Sequence, residues 1–187
     1  MEESKKGLRM YFFVPYNIMS IQKGIQSGHV AEQYALQCIE EVIGYGTGGK
    51  EVSPYWGNLD KWLEFVRNHK TWVILNGGTT NNSSLPERRG SLQKIWDKLM
   101  DENVFCARFF EEDLNDTLSA VCVLCDEKVW DWETYPVYSE WIKTEEGKKL
   151  ELIHNCEEIT REIYNEFVGG AKNAVLKDLI WKRPLAL

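Results

Sequence analysis

Short apolar runs alternate along this chain with longer stretches whose apolar residues recur at helical spacing. Leu8-Arg-Met-Tyr-Phe-Phe-Val14, rich in aromatics and ended by Pro15, predicts a strand. Ser20 is the expected N-cap of a helix running to about Ile43. Its expected core face is Ile25, His29, Leu36, Ile39 and Ile43, which follows the helical period. Gly44-Tyr-Gly-Thr-Gly-Gly49 ends that helix; it lacks the Lys-Ser/Thr of a phosphate loop and does not follow a strand. Trp62, Leu63 and Val66 predict a short second helix over 59–66, and Thr71–Leu75 a buried strand. Asn76-Gly-Gly-Thr-Thr-Asn-Asn-Ser-Ser84 has the residues of a polar loop. A third helix follows over 91–99, with Leu92, Ile95, Trp96 and Leu99 inward. Strands are expected over 104–110 and 119–124, joined by the acidic connection Glu111–Thr117.

Beyond Asp126 the pattern changes. Residues 129–141 are aromatic and turn-rich, and Leu152, Cys156, Ile159, Ile163 and Phe167 predict one amphipathic helix over 150–167. Gly169-Gly170 breaks it before a last helix over 174–181. The order of elements gives an α/β fold with about four strands and helical layers. The organisation is read as an α/β domain over 8–126 and an aromatic and helical extension over 127–187. That extension would pack on the domain or on a partner subunit.

Composition narrows the partners. Hydrophobic residues make up 43% of the 187, enough for a real core, so disorder is excluded as the default. A net charge of −7 disfavours tRNA or DNA, whose affinity comes largely from Lys and Arg on phosphates. No signal peptide, membrane span or lipidation motif is read, so no membrane partner is expected. Five cysteines without an export signal read as reduced thiols, so a cytoplasmic location is expected. Cys122-Val-Leu-Cys125 has metal-pair spacing, but in a strand residues three apart face opposite ways. Neither a metal nor a cofactor is expected.

Three polar clusters are candidates for one site at a sheet edge. The first is Gln22, Lys23, Gln26 and His29 at the helix start, where unpaired N–H groups and the dipole suit an anion. The second is Asn76, Gly77, Gly78 and Thr79, whose glycines would let backbone N–H groups approach a ligand. The third holds Glu111, Asn115 and Thr117. Each has a plain structural alternative: a packed His29, a solvated Lys23, a solvated acidic turn, turn-forming Asn115 and Thr117. Tyr55, Trp56 and Trp72 could stack a base or simply pack.

Gln26-Ser-Gly-His29-Val-Ala, Leu75-Asn-Gly-Gly78 and Asp113-Leu-Asn-Asp-Thr-Leu-Ser119 together resemble the type II peptidyl-tRNA hydrolase family, most closely its divergent bacteriophage-carried branch. The resemblance covers roughly residues 8–126, in short motifs. It implies a three-layer domain with a four-stranded mixed sheet and, for an enzyme, His29 and Glu111 as catalytic residues. Departures are plain: Gln22 stands at the family's lysine position with Lys23 one place on, about 100° around the helix. The family's Gly-Arg-Thr-Gln loop is replaced by Asp-Leu-Asn-Asp.

Two function readings follow. The first is a phage-encoded, homo-oligomeric protein that captures a small phosphorylated nucleotide or signalling molecule without turnover, countering host defence. Its ligand-binding residues would be Gln22, Lys23, Gln26, His29, Asn76, Gly77, Gly78, Thr79, Asn115 and Thr117. The alternative is a peptidyl-tRNA or related ester hydrolase, with His29 or Glu111 positioning water. A protein-interaction module using the aromatic C-terminal region is a plainer third.

Overall fold

The computed structural model describes residues 7–46, 56–80 and 89–186. The lead-in at 1–6, most of the glycine run, Tyr55, the Trp56 side chain and residues 81–88 of the polar segment lie outside them. The chain divides into two compact units, one of residues 7–124 with 184–186, the other of residues 125–183.

The first unit is a three-layer α/β sandwich. Strands β1 (Arg9–Pro15), β2 (Thr71–Gly78), β3 (Cys106–Glu111) and β4 (Thr117–Cys125) form a mixed sheet in the order β2-β1-β4-β3. β1 and β2 are parallel, β3 and β4 antiparallel. Met10 to Val14 are all buried, so the central strand is covered on both faces. Met10, Phe12 and Val14 pack with Val30, Tyr34 and Cys38 of helix α1 (Ser20–Gly46). Alternation turns Tyr11 and Phe13 to the opposite face, where helix α3 (Ser91–Asp101) buries Leu92, Ile95 and Leu99. Helix α2 (Trp56–Glu64) and a π-turn (Phe65–His69) complete the crossover from α1 to β2.

The inward face of α1 is not the predicted one. Lys23, Gln26, Ser27, Val30, Ala31, Tyr34 and Cys38 are buried, whereas Ile25, His29, Leu36, Ile39 and Ile43 are exposed. The helix carries apolar residues on two opposite sides, and the sheet takes the side that holds Val30, Ala31, Tyr34 and Cys38. The N-cap is Met19 rather than Ser20: its carbonyl accepts from Lys23 N–H at 3.0 Å, and its N–H donates to Gln22 Oε1 at 3.1 Å. That second bond is the back-reaching half of a capping box.

Two bulges lie at one end of the sheet. β2 carries the extra Gly77 between partners Asn76 and Gly78, and β4 the extra Ser119 between Leu118 and Ala120. Both re-aim the chain where β1, β2 and β3 end and β4 begins. A short return segment, 184–186, lies along the free edge of β2. Asn76 N–H donates to Pro184 O at 2.9 Å, and Ala186 N–H to Ile74 O at 3.0 Å.

The second unit holds α4 (Glu127–Trp130), α5 (Tyr138–Trp141), α6 (Glu145–His154), α7 (Glu157–Phe167) and α8 (Ala171–Ile180). The single helix predicted over 150–167 is two. Asn155 takes a left-handed φ of 44° and caps α6, and extended Cys156 starts α7. Leu152, predicted inward, is 83% exposed. The core is aromatic, with Trp141 and Tyr164 buried against Tyr135, Tyr138 and Phe167. Gly169 and Gly170, with φ of 87° and 120°, supply the turn into α8 that a side chain would resist.

Lys177 on α8 is fully buried in this unit. Its Nζ donates to Lys128 O at 2.7 Å and Val129 O at 3.1 Å and lies 4.7 Å from the Trp132 ring centroid. Burial pulls its ammonium down to about 8, against the pull of Asp131, Asp126 and Asp178. Among the described residues no helix is long and apolar enough to cross a membrane.

Candidate functional site

Beside the bulges, at the end of the sheet where β1 and β3 finish, lies a cleft of about 290 Å³. Openings outside strand ends are where α/β sheets usually receive ligands. Its apolar wall is Pro15, Ile18, Ile25 and Leu114, and its polar groups are Asn17, Gln22, Gln26, Thr80, Glu111, Asp113, Thr117 and Ser119.

A polar chain runs between Ser119 and Glu111. Ser119 is the extra residue of the β4 bulge, so its side chain turns to the α1 face that Ala120 also occupies. Its hydroxyl donates to Gln26 Oε1 at 2.6 Å, with Phe109 O as a second acceptor at 3.2 Å. Gln26 then donates through Nε2 to Glu111 Oε2. Gln26 is buried and Glu111 partly exposed, so the chain fixes a carboxylate that still reaches solvent. A carboxylate offers about four acceptor positions, so one bond from Gln26 leaves capacity for a ligand. Across the cleft, Thr80 Oγ1 donates to Leu118 O at 2.5 Å and Thr117 Oγ1 to Leu114 O at 2.5 Å. These bonds tie the cleft walls to β4 and to the short 3-10 turn Glu112–Leu114.

Of the predicted site residues, Gln22, Gln26, Glu111 and Thr117 meet at this cleft. Lys23 does not line it; it is 5% exposed, on the side of α1 that faces the sheet. His29 is exposed, stacked on Phe109 with centroids 4.8 Å apart, and also outside the lining. The remaining positions lie outside the cleft lining and make contacts within the fold. Asn76 Oδ1 accepts from Gly78 N–H at 2.8 Å. A side chain at Gly77 would meet Leu92 at 2.9 Å and the Val14 backbone at 3.1 Å, and Gly78 has φ of 85° beside Ser91. Thr79 N–H donates to Ser91 Oγ at 2.7 Å. The Asn-Gly-Gly-Thr run therefore joins β2 to the start of α3, and its first three residues are strand rather than loop. Asn115 has a left-handed φ of 56° and closes the turn between β3 and β4. Trp72, a candidate for base stacking, instead packs on Phe12 at 4.6 Å.

Sequence reasoning missed Ser119, Asp113, Thr80, Ile18 and Ile25 as site residues. The signal for Ser119 is a hydroxyl inside the apolar run Leu118–Val123, whereas Ile25 follows the same helical period as a core residue would. The thiols do not join the site. Burial pushes Cys38 and Cys106 up to about 12 and raises Cys122 well above the ordinary thiol value, so none of the three is a ready nucleophile. No cluster of metal-ligating residues occurs among the described residues.

No protein-family model, curated protein or solved structure matches this chain.

Proposed function

We propose that the protein captures a small nucleotide without turnover and holds it by its nucleoside part. The observation that carries this reading is the chain from Ser119 through Gln26 to Glu111 in a cleft with an aliphatic wall. Glu111 and Asp113 stand in a lining that holds no Lys, Arg or His among the described residues. Such a lining repels phosphate and accepts from N–H and O–H groups, as a carboxylate accepts from a ribose diol. Ile18, Ile25 and Leu114 suit the faces of a base. The phosphates would then lie outside the cleft, which replaces the anion-binding helix start expected from the sequence. Withdrawal of a signalling nucleotide in this way is the means by which a phage protein would blunt a host response.

A second reading, ester hydrolysis, draws on Glu111 alone, which is held in the cleft where it could orient water. The distribution of residues favours capture, because His29 and Lys23 are not among the residues that line the cleft.

Titration calorimetry with nucleosides, their 5′-phosphates and inorganic phosphate separates the possibilities. Capture predicts similar affinity for a nucleoside and its monophosphate, no binding of inorganic phosphate, and intact ligand recovered after heating. Binding of inorganic phosphate that competes with the nucleotide would overturn the assignment of the cleft to the nucleoside. Recovery of a hydrolysed product would favour the enzyme.

A further inference from the structure

The outward side of α1 carries Ile21, Ile25, Leu36, Ile39 and Ile43, each between 45% and 71% exposed. Together with Gly28 they are spaced symmetrically about Glu32. Ile21, Ile25 and Gly28 lie eleven, seven and four residues before it; Leu36, Ile39 and Ile43 lie four, seven and eleven after it. A stripe that reads the same from both ends is complementary to itself when two helices run antiparallel. We infer that a second copy of this chain docks on this face, with α1 against α1 and the two-fold axis at Glu32. The inference stands independently of the ligand reading.

In that arrangement residues equidistant from the axis meet. Ile21 faces Ile43 of the second copy, Ile25 faces Ile39, and Gly28 faces Leu36. The last pairing joins a large side chain to a gap, since added Cβ atoms at Gly24 and Gly28 would meet nothing within 4 Å. Leu36 fills the notch those glycines leave, as interdigitating helices require. Antiparallel packing opposes the two helix dipoles. It sets the two Glu32 side by side at the axis, each with His29 of the second copy about 4.5 Å away along the axis. Five partly exposed aliphatic side chains per copy put on the order of 1,000 Å² into the contact, the lower bound for a specific interface. Ile25 also lines the cleft, so Ile39 of the second copy would cover it at the cleft rim.

Sedimentation of the full chain is expected to give a dimer at micromolar concentration, and Leu36→Glu a folded monomer by circular dichroism. Cysteine cross-linking in a Cys156→Ser background fixes the geometry even if that variant misfolds. Glu32→Cys is expected to form a disulfide-linked dimer under mild oxidation. Ile43→Cys should not cross-link with itself but should cross-link with Ile21→Cys chains mixed in. A monomeric wild type, a Leu36→Glu dimer, or self-cross-linking of Ile43→Cys without Glu32→Cys would each overturn the proposal.

Discussion

Two buried polar side chains, Gln26 on α1 and Lys177 on α8, meet the same demand in opposite ways. A polar group withdrawn from water must find partners or lose more than a hydrogen bond is worth. Lys177 finds them in backbone carbonyls and the face of Trp132. Gln26 finds them in two side chains, Ser119 and Glu111, the second of which faces a cleft. Backbone partners cannot be reassigned without unfolding, whereas a side-chain chain ending at an open carboxylate can exchange with a ligand. Burial of a polar group thus serves packing in one unit and, on the proposed reading, recognition in the other.

That contrast can be broken at Lys177 with the largest effect. Lys177→Met keeps much of the packing on Trp132 but strips a donor from two carbonyls, so unfolding by denaturant should show a loss of about 2–3 kcal/mol at pH 7. The pH response gives a second measure. The folded-state value of about 8 lies below the ordinary lysine value of 10.5. The unfolded chain therefore binds more protons between pH 8 and 10.5, and stability from this group rises with pH there. The gap between wild type and Lys177→Met should widen across that window by roughly 3 kcal/mol. A constant gap would show that the ammonium carries no burial penalty.

Gln26→Leu tests the other half. Ser119 can turn to Phe109 O, so the expected loss of stability is only about 1 kcal/mol, while nucleoside affinity should fall at least ~10-fold by calorimetry. Equal loss of both would make Gln26 a structural residue like Lys177. Gln22→Ala removes the bond to the Met19 N–H and should lower the thermal midpoint by an amount equivalent to about 0.5 kcal/mol. The smallest effect is expected at His29, whose exposed ring rests on Phe109. His29→Ala should shift stability by no more than about 0.5 kcal/mol and leave nucleoside binding unchanged. A loss of binding there would return His29 to the site that the sequence motif suggested.

Much of the α/β unit was legible because each element obeys a local rule. The aromatic run before Pro15 and the period of Leu92, Ile95 and Leu99 appear where the pattern puts them, as do the glycines after Phe167 in the helical unit. The face of α1 was not legible. Periodicity locates an apolar stripe but does not say whether a sheet or something else covers it, and here the sheet selects Gln26, Ser27 and Val30 over Ile25 and Leu36. The cleft was half legible for the same reason. Gln22, Gln26, Glu111 and Thr117 stand where polar types meet a strand end, but Ser119 owes its aim to a one-residue bulge that composition does not reveal. Asn76 to Thr79 are ambiguous in sequence, because the residues that permit close approach to a ligand equally permit close approach to Ser91 and Leu92.

The return segment along β2 has a kinetic meaning. Leu185 bridges Leu75, a separation of 110 residues that spans the whole of α3 to α8. In sequence, the helical unit is an insertion between the fourth strand and the segment that seals the sheet. Contacts of such separation close slowly, because a long loop must be gathered before anything is gained. Until then β2 offers an unpaired edge to other chains. Translation must pass through the entire helical unit before that edge can be covered, so a nascent chain stalled within α5 to α8 would carry an adhesive strand.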